Sequence, residues 1–434
     1  MFEVKEKPRL VERAFLVGIR RRGESVEHAD ALLDELAALV ETLGIAVVDR
    51  EVVSLREALP RFLIGPGQAE AILGAVAAAG ADVLIFDEPL SPAQQRNWEA
   101  AGKQLLVIDR QEVILDIFAE RATTREARLQ VELARLEYSM PRLRRAWTHL
   151  SRQRGGGSTQ RGEGETQLQL DQRMIRDRIA RLKGELEQVQ QRRGVQRGRR
   201  ESIPVPSGAI VGYTNAGKSS LLNCLTASSV LAEDKVFATL DPTSRRMELP
   251  NGQNLVLTDT VGFVRKLPHR LIDAFKATLE EAVVSDFLIH VVDASNPDLD
   301  DHLETTEEVL GELGALAKET ILVLNKIDRV EGTEERLMLR LRFPDAWMVS
   351  VNTGEGIEAL VGKLVEVVSR EARRMDLLIP HNRHDLVHEL HRLGAVKETE
   401  YLENGVYIQG YLPEAQAGRF LDFRMPEGSH LSTK

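Results

Sequence analysis

The sequence predicts an α/β fold built from several domains, and three observations support this prediction. Apolar runs alternate with amphipathic segments over the first 110 residues, which is typical of strands alternating with helices. A different, heptad-like spacing of apolar residues follows, up to about residue 200. A glycine-rich turn at 212–219 then joins an apolar run to a helix. The chain has 434 residues, enough for two to four domains with cores of their own.

Residues 1–110 are predicted to form an N-terminal α/β domain with a largely parallel sheet. Its predicted strands are 14–19, 45–48, 83–86 and 105–108, and its predicted helices are 31–43, 69–79 and 92–101. Gly65-Pro66-Gly67 lies between two of these elements. We interpret it as a plain strand–helix turn, with a phosphate loop as the alternative.

Residues 111–200 are predicted to form a helical hairpin. One narrow apolar stripe consists of Leu129, Leu133, Leu136, Met140 and Leu143, and the second of Ile175, Ile179, Leu182, Leu186 and Val189. The connecting loop is predicted at 154–165, and a basic linker at 191–206. Residues 121–200 hold 20 Lys and Arg against 9 Asp and Glu, so the glycine- and arginine-rich tip is suited to contact RNA. A solvated, flexible linker is the alternative.

Residues 207–370 are predicted to form a nucleotide-binding domain, because 212–219 reads GYTNAGKS and matches the P-loop pattern. Its glycines let backbone N–H groups surround phosphate oxygens. Lys218 is expected to reach the β- and γ-phosphates, and the Ser219 hydroxyl to ligate Mg²⁺. The predicted nucleotide contacts here are Gly212, Tyr213, Thr214, Asn215, Ala216, Gly217, Lys218, Ser219 and Ser220.

Two later motifs identify the nucleotide. Asp259, Thr260, Val261 and Gly262 follow an apolar run, with Asp259 predicted at the magnesium hydration shell and the Gly262 N–H at the γ-phosphate. Asn325, Lys326, Ile327 and Asp328 follow another. The Asp328 carboxylate can accept from guanine N1 and N2, a pair of donors that adenine lacks. The motifs therefore predict GTP binding.

Four further positions complete the predicted site. Thr239 is the candidate that senses γ-phosphate and Mg²⁺, so the predicted catalytic set is Lys218, Thr239 and Gly262, and the predicted metal ligands are Ser219 and Thr239. Ser350, Val351 and Asn352 occupy the base-contacting loop, although only Ser350 fits the usual Ser-Ala-Lys.

Hydrolysis is expected to be slow, because Phe263 stands where many small GTPases place a water-orienting Gln. Asn215 resembles the P-loop asparagine of GTPases that bind K⁺, so K⁺ is a possible second ion.

Residues 371–434 are predicted to form a small α+β module. It has a strand at 375–379, a helix at 385–393, a hairpin at 398–411 and a helix at 414–420. His384, His388 and His391 follow one helix face. A solvated face is the favoured interpretation, and a metal or RNA contact is the alternative.

The composition bears on the cellular compartment of the protein and on whether it spans a membrane. The net charge is −10 and the chain has one cysteine, which excludes intrachain disulfides and fits a reducing cytoplasm. No apolar stretch approaches the roughly 20 residues of a membrane span.

The chain also resembles the HflX family of translational GTPases along nearly its whole length. The segments that carry this resemblance are 87–97 (DEPLSPAQQRN), 107–110, 114–118, 129–133, 161–168 (RGEGETQL) and the P-loop series with Phe263. Two departures are Gly65-Pro66-Gly67-Gln68 and Ser350-Val351-Asn352.

The resemblance implies an N-terminal α/β domain with a helical hairpin, a Ras-like GTPase domain and a small C-terminal domain. It implies a GTPase that binds the large ribosomal subunit and its rRNA and, with GTP, splits stalled or idle ribosomes under stress. It also implies that the hairpin tip reaches the peptidyl transferase region and that the ribosome stimulates hydrolysis. A cytoplasmic monomer is expected. The alternatives are a GTPase that assists RNA modification or subunit assembly, and a non-enzymatic RNA-binding switch.

Overall fold

The computed structural model describes residues 11–103, 105–142, 161–200, 205–226, 237, 240–266, 279, 281–392, 396–413 and 417–425. Its contacts divide the chain into two compact units. The first comprises Met1–Glu187 with two short later segments, Asp234–Phe237 and Lys266–Phe275, and the second comprises the rest. The predicted domain boundaries at 110, 200 and 370 remain predictions.

The first unit is built on a four-stranded, wholly parallel sheet, as predicted for the N-terminal region. Its strands are β1 (Arg13–Arg21), β2 (Ala46–Leu55), β3 (Val83–Phe86) and β4 (Leu106–Asp109), in the order β2-β1-β3-β4. β2 extends well past its predicted end at residue 48. The charged residues there are compatible with a strand because β2 is an edge strand, half of whose surface faces solvent.

Helices cover both faces of this sheet. They are α1 (Val26–Thr42), α2 (Pro66–Ala79), α3 (Pro92–Ala101) and α4 (Arg110–Arg121). Trp98 of α3 is fully buried with Phe62 and Phe86, at ring-centroid distances of 5.3 and 5.1 Å. On the opposite face α1 packs so closely that a Cβ on Gly18 would lie 2.8 Å from Leu33 Cγ. Gly65 is the N-cap residue of α2, in agreement with a plain strand–helix turn.

A buried charge cluster lies at the carboxyl ends of β3 and β4. The Arg110 side chain donates to Asp87 at 2.7 Å, to Glu35 at 2.9 Å and to the Leu32 carbonyl at 2.8 Å. Lys266, from one of the short later segments of this unit, donates to Asp87 at 2.6 Å. Arg110 and Asp87 are each about 1% exposed, so their charges are compensated by one another rather than by water.

Two further helices carry the apolar stripes of the predicted hairpin, α5 (Arg125–Ser139) and α6 (Arg161–Arg200). Arg178 of α6 donates twice to Glu132 of α5, at 2.8 and 2.9 Å. Leu182 is fully buried, and the other residues of the α6 stripe are half-buried. Residues 143–160, which hold most of the predicted tip, lie outside the described residues.

The predictions of a loop at 161–165 and of a linker at 191–200 were wrong, because α6 is helical there. Residues 154–160 and 201–204 of the predicted loop and linker lie outside the described residues. Gly162 and Gly164 each cost a helix about 1 kcal/mol relative to alanine. The surrounding Glu, Gln and Arg residues are strong helix formers and outweigh that cost. The long charged surface of α6 is also compatible with a solvated helix.

The second unit contains a six-stranded sheet in the order β10-β9-β8-β5-β7-β6, with β6 antiparallel and all other pairs parallel. The strands are β5 (Ser207–Val211), β6 (Thr243–Glu248), β7 (Asn254–Asp259), β8 (Phe287–Asp293), β9 (Glu319–Asn325) and β10 (Trp347–Met348). Ser350 lies in the loop that follows β10, where its N–H donates to the Glu355 carbonyl.

Helices of this unit pack on both faces of the six-stranded sheet. They are α7 (Lys218–Thr226), α8 (Leu299–Glu312), α9 (Thr333–Arg342) and α10 (Ile357–Glu371). One core joins α7 and α10 to the sheet through residues such as Leu221 and Leu364, and a second core places Leu299 of α8 with Val292. The predicted Ras-like α/β architecture is confirmed.

The C-terminal module has the antiparallel strands β11 (Ala372–Ile379), β12 (Val396–Leu402) and β13 (Gly405–Pro413), with β13 central. Helix α11 (His384–Arg392) and a 3₁₀ helix at Gly418–Phe423 complete it. An α-helix was predicted at 414–420, and residues 418–420 of that range belong to the 3₁₀ helix.

The three histidines of α11 are exposed, as expected for a solvated face. No group of three potential metal-binding side chains occurs within the described ranges. Across the described helices, none is both long and apolar enough to cross a membrane.

Candidate nucleotide-binding and catalytic site

The phosphate-binding loop runs from the end of β5 to the first residue of α7. Gly212 has φ 141° and Gly217 has φ 94°, which side chains rarely adopt. A Cβ on Gly212 would lie 2.2 Å from the Val291 carbonyl oxygen, and one on Gly217 would lie 2.3 Å from Asn325 Nδ2. Both positions therefore require glycine, and the loop delivers its N–H groups to the N-terminus of α7, where anions bind.

The predicted motifs meet at one edge of the sheet. Residues 212–220 follow β5 and residues 350–352 follow β10, whereas the motifs 259–262 and 325–328 begin at the last residues of β7 and β9. The carboxyl ends of parallel strands in such a fold form the usual ligand crevice. Thr239 lies outside the described residues, so its role remains a prediction.

Asn325 connects the base-binding motif to the phosphate loop. Its Nδ2 donates to the Ala216 carbonyl at 2.9 Å, and its Oδ1 accepts from the Val351 N–H at 3.3 Å. The side chain is 2% exposed, so these two bonds are formed away from water, where leaving either group unpaired is costly. Three segments of the predicted site are thereby joined through one amide group.

The Asp328 carboxylate is held ionised beside the loop that follows β10. A hydrogen bond from Ser350 is the largest cause that lowers its pKa, and Asn352 and Arg329 contribute in the same direction. Ser350 and Asn352 thus act through their side chains, although Val351-Asn352 departs from the usual sequence. An ionised carboxylate in this position can accept from two guanine donors.

Lys326 has a partner that the sequence did not reveal. Its Nζ lies 2.8 Å from Asp293 Oδ2, at the end of β8. The backbone of Lys326 is left-handed, with φ 61°. The ion pair holds the lysine stem beside the base-binding motif.

The magnesium end of the site is formed by Ser219 and Asp259. The Ser219 hydroxyl donates to Asp259 Oδ2 at 2.6 Å. Hydroxyl and carboxylate oxygens are the donors that Mg²⁺ prefers, and the ion usually keeps waters and phosphate oxygens as its other ligands. These two residues therefore fit a Mg²⁺ ion that arrives with the nucleotide.

The position and the lowered pKa of Lys218 are compatible with binding a phosphate group. Lys218 is buried at the start of α7, and its Nζ donates to the Tyr213 carbonyl at 2.7 Å. Burial lowers the pKa of Lys218 to about 8, and the nearby Asp259 carboxylate partly opposes that shift. A phosphate beside Nζ would supply the negative charge that stabilises the ammonium form.

Phe263 and Gly262 lie directly against the phosphate loop. The Phe263 N–H donates to the Gly212 carbonyl at 3.1 Å, and the Thr214 N–H donates to the Phe263 carbonyl at 2.8 Å. The Phe263 side chain is 1% exposed. It presents no polar group that could orient an attacking water, and slow intrinsic hydrolysis stays a prediction.

Sequence reasoning also missed a cluster behind the phosphate loop. The Tyr213 ring stacks on His302 of α8, with ring centroids 3.6 Å apart, and Tyr213 Oη accepts from the Arg265 N–H at 2.7 Å. Arg265 itself pairs with Asp301 at 2.8 Å and with Asp298 at 3.3 Å. Tyr213 belongs to the P-loop, but Arg265 and the acidic residues and histidine at 298–302 belong to no recognisable motif, so nothing in the sequence indicated these contacts.

The lowered pKa of His290, in β8, leads to a prediction of how the stability of the second unit depends on pH. Burial and, secondarily, the Lys218 charge lower the pKa of His290 to about 4. Its Nε2 has no hydrogen-bond partner among the described residues. In the unfolded chain a histidine takes up its proton near pH 6.5, so acid favours the unfolded state from about pH 6.5 down to about pH 4.

We expect the wild-type protein to lose about 2 kcal/mol more unfolding free energy between pH 7 and pH 5 than a His290→Leu variant. Urea unfolding of the nucleotide-free protein at the two pH values measures this difference. His388→Leu, which removes an exposed histidine, is the control. Equal acid sensitivity of the wild type and His290→Leu would show that His290 is not the responsible group.

Three family models match successive parts of the chain. They describe the N-terminal region of a GTP-binding GTPase (residues 30–119), the middle region of such a GTPase (residues 121–200) and a 50S ribosome-binding GTPase (residues 207–326). The last match contains the P-loop and the 259–262 motif, and it ends at Lys326.

Curated relatives match almost end to end. The GTPase HflX of Akkermansia muciniphila is 49% identical over 426 residues, covering 96% of this chain and 97% of the relative. The GTPase HflX of Escherichia coli is 43% identical over 383 residues, covering 88% of this chain and 89% of the relative. A solved GTP-binding protein of Sulfolobus solfataricus in complex with GDP is 27% identical, with a TM-score of 0.44 and coverage of 83% of this chain and 99% of that one.

The order of the matched regions agrees with the order of the units along the chain, and the site supports binding and hydrolysis of GTP. Because relatives far above 30% identity cover nearly the whole chain, the protein belongs to the HflX family of GTPases.

Proposed function

We propose that this GTPase binds the large ribosomal subunit and its rRNA and, with GTP bound, splits stalled or idle ribosomes. In this proposal the protein acts as a cytoplasmic monomer, uses Mg²⁺ held by Ser219 and Thr239 with its nucleotide, and serves the cell under stress. The ribosome stimulates hydrolysis and so ends each cycle. The description of the matched family as 50S ribosome-binding supports the partner.

The buried Phe263 is the observation that carries the proposal. A GTPase without a water-orienting side chain at this position needs another group to complete its catalytic site. Phe263 is 1% exposed and bonded through its main chain to the phosphate loop. Catalysis supplied by a partner explains such a site, because turnover then occurs only after the target has been bound.

The charge of the chain supports an RNA-rich target. The whole protein is acidic, at −10, yet residues 121–200 carry a net charge of +11. Half of this segment is the long helix α6. Clustered Lys and Arg attract the phosphate backbone of RNA even when the rest of the protein repels it.

Sedimentation of assembled ribosomes tests the splitting activity. We expect the protein with a non-hydrolysable GTP analogue to convert the assembled peak into separate subunits, and the protein with GDP to leave that peak in place. A GTPase for RNA modification or assembly would instead bind a precursor particle or a modifying enzyme and would leave assembled ribosomes intact. An undiminished assembled peak therefore contradicts the proposal.

Paired arginine substitutions test the role of the hairpin. We expect Arg154→Ala with Arg161→Ala to weaken binding to the large subunit and leave nucleotide affinity unchanged. The matched control is Arg245→Ala with Arg246→Ala, which removes the same charge from the exposed strand β6. Equal loss of subunit binding in both double variants would indicate a general charge effect rather than a dedicated probe.

We also propose that Asn215 helps to bind K⁺ beside the phosphates. Asn215 is exposed and adopts a left-handed conformation, with φ 59°, so its amide oxygen is available to a ligand. A monovalent cation there would stabilise charge that develops during phosphoryl transfer. Hydrolysis should be faster in K⁺ than in Na⁺ buffer, and Asn215→Ala should abolish the difference. Equal rates in the two buffers would exclude this role.

A further inference from the structure

The segment Asp259–Arg265 lies closed over the phosphate loop, and its main chain is bonded there. The two hydrogen bonds of Phe263, to Gly212 and from Thr214, form a short parallel bridge between the two segments. This contact brings Gly262 against the loop: a Cβ on Gly262 would lie 2.6 Å from Thr214 Cγ2 and 2.9 Å from Lys218 Nζ.

This closed arrangement leaves too little room for a γ-phosphate. In a GTPase of this kind the γ-phosphate lies between the P-loop lysine and the N–H of the DxxG glycine, which here are Lys218 and Gly262. A Cβ added to Gly262 would be too close to Lys218 Nζ, so even a methyl group does not fit between Gly262 and Lys218 on that side. A phosphoryl group is larger than a methyl group. In addition, Lys218 Nζ already donates to the Tyr213 carbonyl. Binding of GTP therefore requires the segment to withdraw, whereas GDP makes no such demand.

The side chain of Tyr213 stabilises the closed arrangement. Its hydroxyl oxygen accepts from the Arg265 N–H at 2.7 Å, two residues beyond the bridge. The ring cannot follow the segment, since it is 4% exposed and stacked on His302 with an interplanar angle of 9°. The Arg265 side chain is held by Asp301, so the acceptor and the donor residue are both fixed to the α8 region.

We propose that Tyr213 is a positioning residue that sets the discrimination between GTP and GDP by holding Gly262 closed over the phosphate loop. Its hydroxyl acts through Arg265 and opposes entry of the γ-phosphate, so that the GTP form is reached only when γ-phosphate contacts outweigh this bond. The inference rests on GTP binding at this site and does not depend on the ribosome.

Tyr213→Phe tests this role, because it removes one oxygen and keeps the stacked ring. A typical intramolecular hydrogen bond corresponds to a change of about two- to tenfold in an equilibrium. We therefore expect the affinity for a non-hydrolysable GTP analogue to rise about two- to tenfold, with the affinity for GDP little changed. Titration calorimetry of the nucleotide-free full-length protein with each nucleotide measures the ratio of the affinity for the GTP analogue to the affinity for GDP.

A second variant and a control make the result decisive. Asp301→Asn weakens the hold on Arg265 without touching the phosphate loop, and it should shift the ratio in the same direction by a smaller factor. Tyr407→Phe, which removes a hydroxyl bonded to Asp376 in the C-terminal module, should leave the ratio unchanged. If both nucleotides lose affinity together, or the ratio moves toward GDP, Tyr213 is only a structural residue and the proposal fails.

Discussion

Asp328→Asn is expected to change the base specificity of the site. The Asp328 carboxylate offers two acceptors to guanine N1–H and N2–H₂, whereas an asparagine amide offers one acceptor and places a donor against the other guanine donor. We expect the affinity for GTP to fall about 100- to 1000-fold. Xanthosine triphosphate carries a carbonyl at the corresponding position and should bind the variant more tightly than GTP does.

Equilibrium titrations with both nucleotides measure this change. The fold should be unaffected, because Asp328 lies in a half-buried loop and its partners Ser350 and Asn352 can also bond to an amide. Asp345→Asn, on an exposed loop before β10, is the control and should keep the preference for GTP. If Asp328→Asn also keeps that preference, the guanine is not bound at this residue.

Arg110→Met is expected to cause the largest loss of stability in the first unit. The substitution keeps most of the side-chain volume and removes the bonds to Asp87, Glu35 and the Leu32 carbonyl. Asp87 keeps Lys266 as a partner, but the buried acidic groups lose their central cation. Removal of one member of a buried charge network costs about 3–5 kcal/mol.

Hydrogen exchange of the full-length protein measures this loss locally, at the amides of β1 and β3. A decrease of about 3 kcal/mol in opening free energy corresponds to exchange more than 100-fold faster. Arg50→Met is the matched control, since Arg50 pairs with Asp34 on the surface of the same unit and such pairs contribute about 0–1 kcal/mol. Similar exchange in the two variants would show that burial gives the Arg110 cluster no special weight.

The parts of the structure that follow from local patterns were predictable. Apolar runs before Gly212, Asp259 and Asn325 form strands because nearly every side chain there is buried, and parallel strands bring the motifs at their carboxyl ends to one edge. The order of the motifs then determined the ligand. These features depend on residues close together in the chain, where period and turn chemistry are informative.

Features that depend on distant contacts were not predictable. Nothing near His302 marks it as the partner of Tyr213, and Asp293 shows no sign that it pairs with Lys326. The glycines at the start of α6 led to the wrong prediction of a loop. Helix propensity is a sum over many residues, and two glycines do not decide it. Three-dimensional packing determines such cases, and a single sequence does not record it.

The two bonds of Asn325 have a consequence for how a nucleotide associates. They fix the spacing between the base-binding loop and the phosphate loop before any ligand arrives, so the entropy of ordering these loops is lost during folding rather than during binding. For a ligand that lacks its base or its phosphates, the base-binding loop and the phosphate loop would still be held at the same spacing. Such a ligand would lose only the contacts of the missing part, and the affinity of the whole nucleotide can then be understood as two nearly independent contributions.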